Sequence, residues 1–185
     1  RPDGIPKVKG EFVFSNDLRH PQMLWGGTLR SPHPAARIVS INTAPALKMT
    51  GVHAVLTSED TEGMPLYGLE HPDQPVLADG VVRYQGEPVA IVAADHPENV
   101  RLALEAIEVE YELIEPLSDS KLAQEAEAIH PDGNLFRKID LIYGNSQEDG
   151  EIIVEGTYEV GMQDQAPLGT ESGMAIPSED GGVDL

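Results

Sequence analysis

The chain has 185 residues, no cysteine and a formal net charge of −20 at pH 7. This length predicts one full domain and part of another. Without cysteine there is no disulfide framework and no thiolate metal site, which is typical of a reducing compartment, and we expect a cytoplasmic location. No stretch of the sequence approaches the roughly 20 consecutive apolar residues that a membrane-spanning helix needs.

The charge is distributed unevenly along the chain. The first 50 residues hold seven Lys or Arg against three acids, whereas the remaining residues hold five against twenty-nine. Such an acidic surface repels phosphate backbones, so nucleic acid is excluded as an expected partner. A well-solvated acidic face explains most of this charge, and a basic partner protein is the alternative.

Short strands and turns predominate in the first part of the chain. Aromatic, β-branched or alternating patterns predict strands at 11–16, 23–29, 38–43 and 52–57. A single helical turn is expected to begin at Ser31, and helix formers at 44–50 end at Gly51. Ser58 precedes two acids and favours another short helix, followed by a long loop at 61–79.

The middle of the chain predicts a hairpin and one clear helix. Residues 81–84 and 89–93 are expected to pair across the turn at 85–88. His96 and Pro97 can start a helix whose apolar face is formed by Val100, Ala103, Leu104 and Ile107. A strand at 109–113 follows directly, so strand, helix and strand suggest a split β-α-β unit.

The last third of the sequence changes composition. Residues 118–128 predict an acidic helix, and residues 130–150 predict a linker rich in Gly, Asn and Asp. Strands are expected at 152–160 and 172–177, at the start of a second domain. The absence of an initial Met and the ending on an emerging strand lead us to expect a piece of a longer protein.

Known signatures of chemistry are missing from the sequence. Five of the six histidines stand beside a proline and none is paired at i, i+4, so we predict no metal site. The sequence contains no GxGxxG, no GxxxxGK and no GxSxG motif. We therefore predict no catalytic, cofactor-binding or metal-ligating residue. Two polar segments remain distinctive: 30–38, stiffened by proline, and 161–175, which contains Gln163, Asp164 and Gln165.

Several ordered segments resemble one known family. Residues 9–17 (KGEFVFSND) resemble the family opening G-x-x-x-Y-x-x-D, and 30–38 (RSPHPAARI) resembles RSPHAHARI. Residues 46–60 resemble A-L-x-x-PGV-x-x-V-x-T-x-x-D, 82–90 (VRYQGEPVA) resembles VRYVGQPVA, and 109–112 is VEYE. The order and number of these matches indicate the aldehyde oxidase and xanthine dehydrogenase family.

The resemblance implies a fold and a domain arrangement. We expect an α+β fold, an α/β hammerhead with a mixed β-sheet and a few helices, followed by the first strands of a truncated molybdenum-binding domain. The expected divisions are a hammerhead domain at 1–116, an acidic helix and linker at 117–150, and the start of the molybdenum-binding domain at 151–185.

The resemblance also implies a function. The parent enzyme would be an oxidoreductase that hydroxylates a purine (xanthine or hypoxanthine, in purine catabolism), a related N-heterocycle or an aldehyde. It would use molybdopterin and pass electrons to iron-sulfur clusters and FAD in other domains or subunits. The chain itself is expected to hold none of these cofactors, to be inactive alone, and to contact the rest of the molybdenum-binding subunit and the FAD and iron-sulfur partners.

One segment departs from the family pattern. Residues 163–171 align with QEHAYLEPE, but Gln165 stands where His is usual and Gly169 where Glu is usual. No ligand role is therefore transferred to Gln165 or Gly169, and the sequence does not decide whether Gln163 or Glu171 has one. Two alternatives remain: a stand-alone acidic protein-interaction module, and a small hydrolase supported only by its abundant carboxylates.

Overall fold

The computed structural model describes residues 2–61, 63–69, 71–128, 133–135, 137–144, 151–161, 163–166 and 172–185. The chain divides into one unit formed by Pro21–Phe136 and a second formed by Arg1–His20 with Arg137–Leu185.

The described residues form short helices and strands. The helices are α1 (Gly4–Lys9), α2 (Ala44–Leu47), α3 (Pro97–Ala106) and α4 (Ser120–Glu125), with 3-10 turns at Ser15–Asp17 and Ser58–Thr61. The strands are β1 (Trp25–Arg30), β2 (Ala36–Asn42), β3 (Val52–Leu56), β4 (Val81–Val82), β5 (Pro88–Ala94), β6 (Glu108–Leu113), β7 (Ile176–Pro177) and β8 (Val183–Asp184).

The first unit contains two three-stranded sheets, ordered β1-β5-β3 and β4-β2-β6. This arrangement of small sheets and few helices confirms the predicted α+β class. Within the part of the chain that the structure describes, every strand pair is antiparallel, so the expectation of a mixed sheet is wrong.

The predicted hairpin between β4 and β5 does not form. Val82 in β4 pairs with Ala36 of β2, whereas Ile91 in β5 pairs with Thr28 of β1. The physical reason is burial: β5 lies at the centre of its sheet, where Ala90, Val92 and Ala94 are buried on one face and Ile91 and Ala93 are half-buried on the other. A polar turn beside two apolar runs predicts a hairpin locally, but burial of β5 between β1 and β3 places it in the other sheet.

The predicted helix is confirmed as α3. The His96 ring nitrogen Nδ1 accepts a hydrogen bond from the Glu98 N–H (3.1 Å), and Pro97 fits the first turn. The apolar face of α3 packs on the β1-β5-β3 sheet, where the buried core consists of Ala46, Val55, Ala90, Val92, Ala94, Val100, Ala103 and Ile107. However, β5 and β6 lie in different sheets, so the split β-α-β interpretation is wrong.

A second, smaller core lies against the β4-β2-β6 sheet. Its buried members are Ala36, Ala78, Val82 and Val89, and half-buried Ile38 and Tyr111 pack around them. Val89 belongs to β5, the central strand of the other sheet. The start of β5 therefore pairs in one sheet and packs in the core of the other. The two sheets are therefore joined by apolar packing as well as by the connecting loops.

Two local predictions near the amino terminus are wrong. Residues 11–16 form no strand; instead the Asp17 carboxylate accepts the Phe14 N–H (3.0 Å) and holds a 3-10 turn. No helical turn begins at Ser31, because its Oγ accepts the His33 N–H (3.0 Å) and stabilises a bend. Such local side-chain to backbone bonds compete with regular secondary structure.

The carboxyl-terminal predictions are only partly confirmed. The acidic helix is present as α4, with the Asp119 carboxylate accepting from the Lys121 and Leu122 N–H groups (2.8 and 3.0 Å). The backbone of 152–160 forms no strand, and the expected strand at 172–177 is reduced to β7, which pairs with β8. Part of the predicted linker at 130–150 lies outside the described residues.

Close packing of α3 on β1 yields a test with an adjacent control. A Cβ on Gly27 would lie 2.3 Å from Val100 Cγ1, whereas one on Gly26 would meet nothing within 4 Å. We expect Gly27→Ala to lower the free energy of unfolding by about 1–3 kcal/mol through overpacking. Gly26→Ala should change it by less than about 0.5 kcal/mol. Urea denaturation of both variants measures the difference, and equal midpoints would contradict the described packing.

Candidate interface site

Two of the chain segments that cross between the sheets lie side by side. One crossover, 31–35, leads from β1 to β2, and the other, 83–87, leads from β4 to β5. The Ser31 N–H donates to the Glu87 carbonyl oxygen (2.9 Å), and the Gly86 N–H donates to the Ser31 carbonyl oxygen (2.8 Å). We call these two bonded segments, with the flanking Arg30 and Pro88, the crossover junction.

Burial of polar side chains sets the crossover junction apart. Ser31 and Glu87 are only 3% and 2% exposed, and they are the buried polar residues among those described. The Glu87 Oε2 accepts the Arg83 backbone N–H (2.5 Å), and its Oε1 lies 3.6 Å from the Arg83 guanidinium. A buried carboxylate is tolerated only when it is paired and hydrogen-bonded, as Glu87 is.

Backbone geometry makes the second crossover possible. The Glu87 N–H donates to the Tyr84 carbonyl oxygen (3.2 Å), which closes a four-residue turn. Gly86 occupies the third position of this turn with φ +91°, a conformation that side chains with a Cβ rarely adopt. The Arg30 guanidinium also donates to the Gly86 carbonyl oxygen (2.8 Å), which fixes the turn against the end of β1.

Two tyrosines border the crossover junction. The Tyr111 ring meets the His33 ring edge to face, with 5.0 Å between centroids. Burial raises the Tyr111 pKa, and a hydrogen bond with the Ser31 side chain partly opposes that rise. Burial also raises the Tyr84 pKa, reinforced by the nearby Glu87 carboxylate, and the Tyr84 hydroxyl accepts from Gln74 Nε2 (3.1 Å).

The crossover junction contains Ser, His and Glu, but not in a catalytic arrangement. The Ser31 Oγ bonds to the backbone N–H and carbonyl of His33, and the Glu87 carboxylate bonds to Arg83. A nucleophile-and-base pair would need the serine hydroxyl bonded to the imidazole ring. The hydrolase alternative therefore gains no support here, and these side-chain bonds stabilise each crossover internally.

In the described part of the second polar segment, 161–175, the amide and carboxylate side chains do not converge on one point. Gln163, Asp164 and Gln165 are exposed, and the Asp164 carboxylate accepts the Ala166 N–H (3.4 Å). Glu171 and Gly169 lie outside the described residues. In the described ranges no three His, Asp or Glu side chains lie together as a metal site would require. These described residues form no group of side-chain donors that would hold a molybdopterin cofactor.

The sequence identified the first crossover, within 30–38, as distinctive, but it predicted only a hairpin turn at 85–88 and did not identify Glu87 as buried. A signal was present, since Glu87 lies between a turn glycine and the proline that begins the most buried strand. No helix in the described ranges has both the length and the apolar character needed to cross a membrane.

The fold and the crossover junction define a small α+β domain whose polar loops are bonded to each other. The family model described as "Aldehyde oxidase and xanthine dehydrogenase, a/b hammerhead domain" matches residues 9–115, more than half of the chain. The chain therefore belongs to this family of molybdenum hydroxylase large subunits, and residues 9–115 are its hammerhead domain. The resemblance and the hammerhead fold expected from the sequence are confirmed.

Individual relatives agree with the family match. A probable xanthine dehydrogenase subunit of Bacillus subtilis is 42% identical over all of this chain, which covers 26% of that protein. The "Nicotinate dehydrogenase large molybdopterin subunit" of Eubacterium barkeri is 38% identical over 84% of the chain, equal to 38% of that protein. The chain thus spans between a quarter and two fifths of these relatives.

A solved structure shows the same fold. Quinoline 2-oxidoreductase from Pseudomonas putida aligns with a TM-score of 0.63 and 34% identity. The alignment covers 69% of this chain and 17% of that one.

The buried carboxylate of Glu87 yields a stability test. Glu87→Ala leaves the Arg83 N–H without its acceptor and should lower the free energy of unfolding by about 1–3 kcal/mol. Glu87→Gln keeps an acceptor oxygen and should lose clearly less. Thermal unfolding of both variants measures the effect. An Ala variant as stable as the Gln variant would show that the hydrogen bond to Arg83 contributes little.

The two junction tyrosines yield a pH test. Because the folded pKa values of Tyr84 and Tyr111 lie above 10.0, both should stay protonated as the pH rises through that value. Their contribution to stability is complete below the unfolded pKa and is lost as the pH rises through the folded pKa. Tyr84→Phe and Tyr111→Phe should each remove part of the absorbance change at the high-pH end of the tyrosinate titration. Loss of absorbance change at the low-pH end instead would contradict the assigned burial.

Proposed function

We propose that the chain is the amino-terminal structural and interface domain of a molybdenum hydroxylase large subunit and is not catalytic by itself. The crossover junction is the observation that carries this proposal. Its buried polar side chains, Ser31 and Glu87, are hydrogen-bonded within their own crossovers, and backbone bonds join the two crossovers, so these groups are already used by the fold. The match of the hammerhead model to 9–115 supports the same role.

The parent enzyme is an oxidoreductase that hydroxylates a purine such as xanthine or hypoxanthine, a related N-heterocycle, or an aldehyde. This proposal is supported by relatives whose names include xanthine dehydrogenase, nicotinate dehydrogenase and quinoline 2-oxidoreductase. These three names refer to nitrogen heterocycles, which favours that substrate class, and the 42% identical relative favours a purine and a place in purine catabolism.

The cofactors of the parent enzyme are molybdopterin, iron-sulfur clusters and FAD, and we propose that none is held by this chain. One relative is named a large molybdopterin subunit, which supports the first. The partners are the remainder of the molybdenum-binding subunit and the FAD and iron-sulfur subunits, in the cytoplasm. The excess of acidic residues argues against nucleic acid as a partner.

We further propose that the hammerhead domain occupies 1–116, that 117–150 is an acidic helix with a linker, and that 151–185 begins the molybdenum-binding domain. The family match ends at residue 115, which supports the first boundary. The helix described in the second region, α4, is capped by Asp119. No ligand role is proposed for Gln163 or Glu171.

Assays of the purified chain test its role. We expect no xanthine oxidation with a dye acceptor and no stoichiometric molybdopterin, because the described polar groups are used to hold the fold together. The chain should bind flavin or iron-sulfur subunits, detected by their visible absorbance after pull-down. A full-length relative of the same family, assayed in parallel, serves as the positive control.

Two outcomes would overturn the role of interface domain. Turnover by the chain alone would place a reaction centre within it. Capture of unrelated basic proteins, with no flavin or iron-sulfur subunit, would instead favour a stand-alone acidic interaction module.

A further inference from the structure

We draw no further inference here: the strongest candidate, the open groove beside the 3-10 turn Ser58–Thr61, is an exposed apolar patch in a chain that spans only part of its relatives, and nothing in the structure shows what covers it.

Discussion

The first unit depends on the bonding between the two crossovers of the crossover junction. Each sheet has only three strands, and a sheet of that size needs an apolar face packed against another layer to be stable. Consecutive strands from β1 to β6 alternate between the two sheets, and the crossovers at 31–35 and 83–87 hydrogen-bond to each other. Bonding them to each other fixes where β2 begins relative to β5, and so fixes one sheet against the other.

Burial of Glu87 is the condition that makes this bonding specific. A carboxylate that is 2% exposed must be satisfied locally, and in the closed turn through Gly86 the Arg83 N–H and guanidinium satisfy it. An apolar residue at position 87 would allow other turn geometries at little penalty. Polar groups in a core can restrict a fold to one arrangement in this way, even where they add little net stability.

The sequence predicted local features better than long-range pairing. Helix α3 was predictable because capping by His96, Pro97 at the first turn and an apolar face at helical spacing all agree. The hairpin prediction was wrong because the turn at 85–88 contains the same local signal whether the strands pair or diverge. The burial of β5 between β1 and β3, a property of the whole domain, decides between these outcomes. The candidate site shows the same division, since the hydrogen bond between Ser31 and Glu87, which are 56 positions apart, could not be predicted from either segment alone.

The segment 152–160 illustrates the limit of such predictions in physical terms. Its β-branched residues have a strong preference for strands, yet Ile152, Val154 and Val160 are 86%, 88% and 76% exposed. A strand gains most of its stability from cross-strand pairing and from burial of one face, so preference alone does not form it. In the first unit β5 has both a paired strand on each side and α3 above it. The difference between the two segments is therefore the presence of pairing strands, which no local pattern encodes.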